Sequence, residues 1–313
     1  MPHRRLALVA AISLAVVAPA VTSAAAGAAS SASGGTRITS ELADPNPHGL
    51  VKVRGKSGLA APKKSRALMT YHGGVIMTTA NVHPIFWGTS WPGYTGDKIS
   101  GINSFYAGWS NANYAKTTGE YTGSNGTAGA TSTSAASVID GSTATGGNNT
   151  GPILSEVTKE ISNGAVPLDT SGNGYYPVYT DVPRGNAGFC AWHSSGTANG
   201  QRIQFAFFFK LDGDAGCDPQ DSTTGHSQGL AAIANVSGHE LAEAVTDPAS
   251  PGAWYDASGA ENGDKCAWTF NVASVTFSNG THWKVQGEWS NAAFNASTGY
   301  PNSSGQPGCL DGH

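Results

Sequence analysis

His239, Glu240 and Glu243 fall within one five-residue run, His239-Glu-Leu-Ala-Glu243. On a helix, residues four apart share a face. The His239 imidazole and the Glu243 carboxylate would then converge, as ligands of one metal ion must. Glu240 would project roughly 100° away around the helix, placed to take a proton from a water that the metal activates. A further ligand is required, and Glu261 and Asp264 follow on the C-terminal side, Glu261 18 residues after Glu243. The glycines around them predict a loop. Asp247 competes for the same role, but an Asp before a Pro at a helix end more often shapes a turn. Six acids, Glu240, Glu243, Asp247, Asp256, Glu261 and Asp264, crowd into 25 residues of a chain that is only 12% charged, with one base beside them, Lys265. Such a cluster repels itself unless it is solvated, protonated or holding a cation. A metal site, a structural polar network and an exposed face all remain open at this point. A carboxylate in place of a neutral ligand can still bind zinc, the first expectation, and widens the choice toward manganese or calcium. Two more residues join as candidate catalytic groups. His193 follows Cys190 and Trp192, and could be a ligand or a donor to the transition state. Tyr255 could donate to an oxyanion.

These residues need a helix and strands to hold them. Gly225 to Pro248 is alanine-rich and free of proline until its end, which predicts a helix stopped by Pro248. Val75–Thr79, Val82–Trp87, Tyr175–Val182 and Ile203–Leu211 read as strands, the last very apolar and therefore central. The Ile99–Trp109 spacing predicts a helix, as does Leu154–Ile161. Tyr121–Pro152 is low in complexity and reads as a surface loop or weak strands. Aromatic strand candidates lie at Trp268–Phe277 and His282–Trp289. A helix flanked by strand-rich segments predicts an α+β domain with a mixed or antiparallel sheet around a central metal-site helix.

The chain has 313 residues, a net charge of −4, 42 Gly and 16 Pro. That balance does not suit a nucleic-acid binder, which needs a basic footprint. Nine of the 17 bases lie in residues 1–66 with only two acids, so a basic arm precedes an acidic body. Arg4 and Arg5, the apolar run Leu6–Val21 and the small residues Ala24–Ala26 predict a signal peptide over 1–29. Residues 30–66 read as a flexible basic linker or pro-segment, and 67–313 as one domain. No later stretch is long and apolar enough for a membrane span. Four cysteines, Cys190, Cys217, Cys266 and Cys309, suggest two disulfides in an exported chain. Three pairings are possible, and the sequential one, Cys190–Cys217 with Cys266–Cys309, is the expectation. A secreted monomer is implied.

The His239–Glu243 run resembles the H-E-x-x-H helix of zinc peptidases, with Glu243 at the second ligand position. Glu261 and Asp264 are similar to the later Glu and Asp of the gluzincin class. A wider resemblance joins several blocks. His239-Glu-Leu-Ala-Glu-Ala-Val-Thr-Asp-Pro248, Ala253-Trp-Tyr255 and Glu261-x-x-Asp264-x-Cys266 look like the C-terminal block of the EXORDIUM-like (phosphate-induced protein) family. Tyr71-His-Gly-Gly74, Val82-His-Pro-Ile-Phe-Trp-Gly88 and Phe189-Cys-Ala-Trp-His-Ser194 agree with that family's earlier blocks in order. The resemblance covers about 70–310 and implies a cell-wall or extracellular setting.

The expectation is a secreted, zincin-like metal-dependent hydrolase, most simply a peptidase. His239, Glu243 and Glu261 would hold the metal, Asp264 would support it, and Glu240 would be the general base. Its partner would be a peptide or protein substrate. The alternative is a non-catalytic protein that binds cell-wall polysaccharide through exposed tryptophans. A calcium-stabilised scaffold is a third reading.

Overall fold

The computed structural model describes residues 44–55 and 68–313. The expected signal peptide and the rest of the expected linker lie outside the described residues. In chain order the elements are β1 (Thr70–Tyr71), β2 (Ala80–Val82), β3 (Ile85–Trp87), α1 (Lys98–Trp109), β4 (Thr122–Gly123), β5 (Gly126–Thr127), β6 (Ser132–Ser134) and β7 (Val138–Asp140). Then come α2 (Thr150–Ser162), β8 (Gly174–Pro183), β9 (Ala191–Ala198), β10 (Gln201–Lys210), α3 (Gln228–Thr246), β11 (Trp254–Tyr255) and α4 (Asn262–Cys266). The chain closes with β12 (Val275–Thr276), β13 (His282–Trp283), β14 (Glu288–Trp289), α5 (Asn291–Ala296), β15 (Tyr300–Pro301) and β16 (Pro307–Leu310).

The main sheet runs β6-β2-β8-β10-β9, with β3 joining β7 to β8. It is mixed, as expected, in an α+β chain, but parallel pairing dominates it. Only β9 and β10 pair antiparallel within this sheet. The reason lies in burial. Residues 174–180 of β8 and 203–209 of β10 are buried without interruption, the pattern of strands covered on both faces. Tyr179 stacks between Phe86 and Phe208, at centroid distances of 5.0 and 4.5 Å. β9 and β10 turn over Asn199 and Gly200, both at positive φ, the two-residue hairpin turn that Asn-Gly favours.

Helix α3 is the centre of the molecule. Eighteen of its 19 residues are buried, so it is a core helix rather than an amphipathic surface one. Its alanines and glycines let neighbours come close, and α1 answers with Gly101, where a side-chain carbon would fall 2.3 Å from Leu230. The helix starts at Ser227, whose hydroxyl accepts from the Leu230 amide at 3.1 Å and donates to Asp97 at 2.6 Å. Ser227→Ala is therefore expected to cost about 1 kcal/mol. It should appear as a lower denaturant midpoint with an unchanged slope.

Both disulfides follow the sequential pairing. Cys190–Cys217 ties the start of β9 to the loop after β10, and Cys266–Cys309 ties the end of α4 to β16.

Residues 44–55 depart from the expectation of a flexible arm. They are docked against the outer edge of β9 and belong to the same compact unit as residues 68–313. Val51 and Val53 supply the apolar contact that a purely basic reading of this stretch overlooked, being 0% and 7% exposed. Backbone pairing also covers the edge strand's unpaired groups, which an exposed sheet edge would leave open.

Candidate metal centre

Three elements bring the candidate residues together. α3 carries His239, Glu240 and Glu243, β9 carries His193, and the start of α4 carries Glu261 and Asp264. The glycine-containing stretch after Glu261 is a short helix rather than the expected loop. Its first free amides are satisfied from the cluster itself. The Asp264 amide donates to Glu243 Oε1 at 2.8 Å, and the Glu261 amide to Asp264 Oδ2 at 3.4 Å.

Glu243 is the pivot between two groups. On one side His239 Nε2 lies 3.0 Å from Oε1, and Asp264 completes a triad. On the other, His193 Nε2 lies 3.8 Å from Oε2 and 3.2 Å from Glu261 Oε2, a second triad buried throughout. The sequence grouped His239 with Glu243 and Glu261. The structure places Glu261 with His193, on the far side of Glu243 from His239. A side-chain carbon at Gly49 would fall 1.9 Å from Glu243 Oε2 and 2.7 Å from His193 Nε2. The glycine thus lets the backbone approach the Glu243 and His193 donors more closely than any side chain would allow.

Glu243 Oε2 and His193 Nδ1 are buried without a hydrogen-bond partner. Buried polar groups are normally satisfied. The electrostatics point the same way. Burial drives the Glu240 and Glu261 carboxyls well above their ordinary range, and Glu243 beside them adds to it. Burial, then Glu243, raises Asp264 to about 7, and burial raises Asp247 to about 7. Glu288, also buried, is raised well above its usual value while accepting from Tyr114 Oη at 2.7 Å. Burial holds the His193 imidazole well below its usual pKa, so it is neutral with a lone pair to give. Burial pushes His239 down, but Glu243 overrides this and holds it at about 9. Gln286 donates to His239 Nδ1 at 2.5 Å, its own carbonyl held by the Trp268 amide at 3.0 Å. That leaves Nε2 as the nitrogen facing Glu243.

The nearby base does not neutralise this cluster. Lys265 pairs with Asp256 at 2.8 Å and lies over the Trp289 ring. The contrast with a second acidic group is direct. Asp140, Glu156 and Glu160 surround their own cation, Lys159, whose Nζ is 2.6 Å from Glu156 and 3.3 Å from Glu160.

The remaining expected residue, Tyr255, sits in the β1–β11 ladder with its ring stacked on His72 at 3.6 Å. It belongs to that ladder rather than to either triad. Asp247 ends α3 and accepts the Ala253 amide, the turn-shaping role expected of it. Sequence reasoning missed Gln286, Glu288 and the docked Gly49. Gly49 could have been suspected only from an aliphatic pattern two and four residues on. Gln286 and Glu288 reach the site from a distant irregular segment and carry no local signal.

No protein-family model matches the chain, and no curated protein and no solved structure matches it either.

Proposed function

We propose that this chain is an extracellular metal-dependent hydrolase of zincin-like design acting on peptides, with its cation held by His193, Glu243 and Glu261. The observation that carries this reading is a buried cluster of carboxylates that His239 only partly neutralises, in which Glu243 Oε2 has no hydrogen-bond partner. Placing such charges in a protein interior is expensive unless a counter-charge is present. The donor chemistry, imidazole with carboxylates, suits zinc better than calcium, which takes oxygen ligands alone.

A divalent cation there would polarise a substrate carbonyl and make a neighbouring water easier to deprotonate. Glu240 takes that proton. Its carboxyl, raised well above the usual range by burial and by Glu243, suits a general base that must return the proton to a leaving amine. Glu243 is oriented through Oε1, by the Asp264 amide and by His239, which leaves Oε2 for the cation. His239 in turn is fixed by Gln286, a hydrogen-bonded support of the kind that orients metal ligands. The EXORDIUM-like resemblance supports the extracellular setting, as do two disulfides. Among the described residues no helix is long and apolar enough to cross a membrane.

The carbohydrate-binding alternative needs exposed tryptophans. All eight are buried or half-buried, which removes its main support. A thermal-shift titration separates zinc from calcium. The chelator-treated protein is expected to gain melting temperature with Zn²⁺ and not with Ca²⁺. A gain with Ca²⁺ alone would favour the scaffold reading.

A further inference from the structure

Gly49 is held over the cation site by a strand that the chain lends to its own sheet. His48 faces His193 and Lys52 faces Phe189, both antiparallel, along the outer edge of β9. The His48 amide donates to the His193 carbonyl at 2.8 Å, and the His193 amide back to His48 at 3.2 Å. Cys190 donates to Val51 at 2.7 Å, Val51 to Ala191 at 3.2 Å, and Val53 to Gly188 at 3.0 Å. This is the pattern by which extended peptides are recognised at a sheet edge. Main-chain bonds give affinity, and alternate side chains fill pockets. The alternation is present here: residues 49, 51 and 53 share one face, and Val51 and Val53 are buried.

At position 49 the backbone comes so close to Glu243 and His193 that no side chain fits, and the φ of 51° also favours glycine. A cavity of about 420 Å³ lies beside the start of the segment, lined by Asp44 and Asn46 with Ser195 and Arg202. The segment is also basic where the site is acidic, with Lys52 acting on Asp264 and His48 on Asp247.

We propose that the groove along β9 is a binding site for an extended peptide, and that residues 44–55 are its built-in occupant, keeping the site closed until they are displaced. This rests on the cation-site reading above. The occupant's pattern names the substrate class. It is an extended segment with a side-chain-free residue at the cation site and aliphatic residues two and four positions on. The acidic site favours a basic residue between them.

The test uses the full chain and two variants, Gly49→Ala and Val51→Asp. The first puts a methyl group against Glu243. The second puts a carboxylate in the seat of Val51, beside Glu240, so a folding defect in one leaves the other to decide. The probe is a fluorescent peptide of the sequence 44–55, read by anisotropy. A tethered segment competes at an effective concentration of about millimolar, so the variants are expected to bind the probe at least about tenfold more tightly than the parent chain. Hydrogen exchange at residues 190–195 should rise in the same variants. Equal binding by all three chains, or binding by none, overturns the proposal. Zinc content of the same samples reads the cation separately. A binding difference without zinc in any sample keeps the groove and removes the cation reading, and zinc without a binding difference does the reverse.

Discussion

Glu240→Gln is expected to fold, to keep its cation, and to lose peptide turnover by about 10²–10⁴, the usual size of a general-base contribution. The comparison belongs in the Gly49→Ala background, where the groove is open. The change is nearly isosteric. The amide keeps a carbonyl oxygen that can still accept from the Val51 backbone, the hydrogen-bonding group that acts on Glu240. It also removes an ionisable group from a crowded set of acids, which works in favour of stability. What an amide cannot do is accept and return a proton. Glu240 belongs to neither buried triad, so zinc content should match the parent. Full turnover in this variant would remove Glu240 from the mechanism. Loss of zinc together with turnover would show it to be a ligand instead.

The chelator-treated chain is expected to lose stability as pH rises through neutrality, and bound zinc to abolish that loss. Asp247 and Asp264 both have folded pKa values raised to about 7, chiefly by burial. A raised folded pKa means that the native state holds the proton longer than the unfolded chain does. Its contribution is therefore complete below the ordinary carboxyl range and is lost as pH rises from there through about 7. Moving one carboxyl that far corresponds to on the order of 4 kcal/mol, a large part of a domain's net stability. His239, held at about 9, extends this loss to higher pH, whereas buried His193, held well below its usual value, costs stability as pH falls through the ordinary imidazole range; other acids also act oppositely. Asp97, Asp169, Asp221 and Asp256 are held below their usual value despite burial, by hydrogen bonds and, for Asp256, by Lys265. Their contribution is lost as pH falls through those lowered values. The metal-free protein should then be most stable at mildly acidic pH, with a melting temperature roughly 10 °C higher there than at pH 8. A melting temperature independent of pH from 5 to 8 after chelation would contradict this account of the cluster.

The core was legible where the residue pattern left no choice. α3 was expected from Gly225 to Pro248 and runs from Gln228 to Thr246, because alanine and the Ser227 cap decide it locally. β8 and β10 were marked by aromatic and β-branched runs. β9 was not, because Ala191–Ala198 is a mixture of small, polar and aromatic residues. Its pairing is decided by β10 and by the Asn199-Gly200 turn, a hairpin signal that was present and not used. Val75–Thr79 read as a strand but precedes one. Its Ile76 and Thr78 amides are instead taken by the side chains of Asn125 and Asn173. At the site, spacing on one helix delivered His239, Glu240 and Glu243 to the same cluster. It could not show that His193, from an edge strand, lies nearer Glu261 than His239 does, since that depends on how α3 packs under β9. The docked segment was hidden by its composition. Two valines among basic residues carry little weight until the edge strand they cover is known.

The most direct test is zinc per chain, measured by elemental mass spectrometry on the full protein and on His193→Ala, both purified without chelators. About one zinc per chain in the parent, falling to background in the variant, is the expected result for a tetrahedral site that loses a ligand. Background zinc in both, or zinc unchanged by His193→Ala, would contradict the assignment of His193, Glu243 and Glu261 as the cation's ligands.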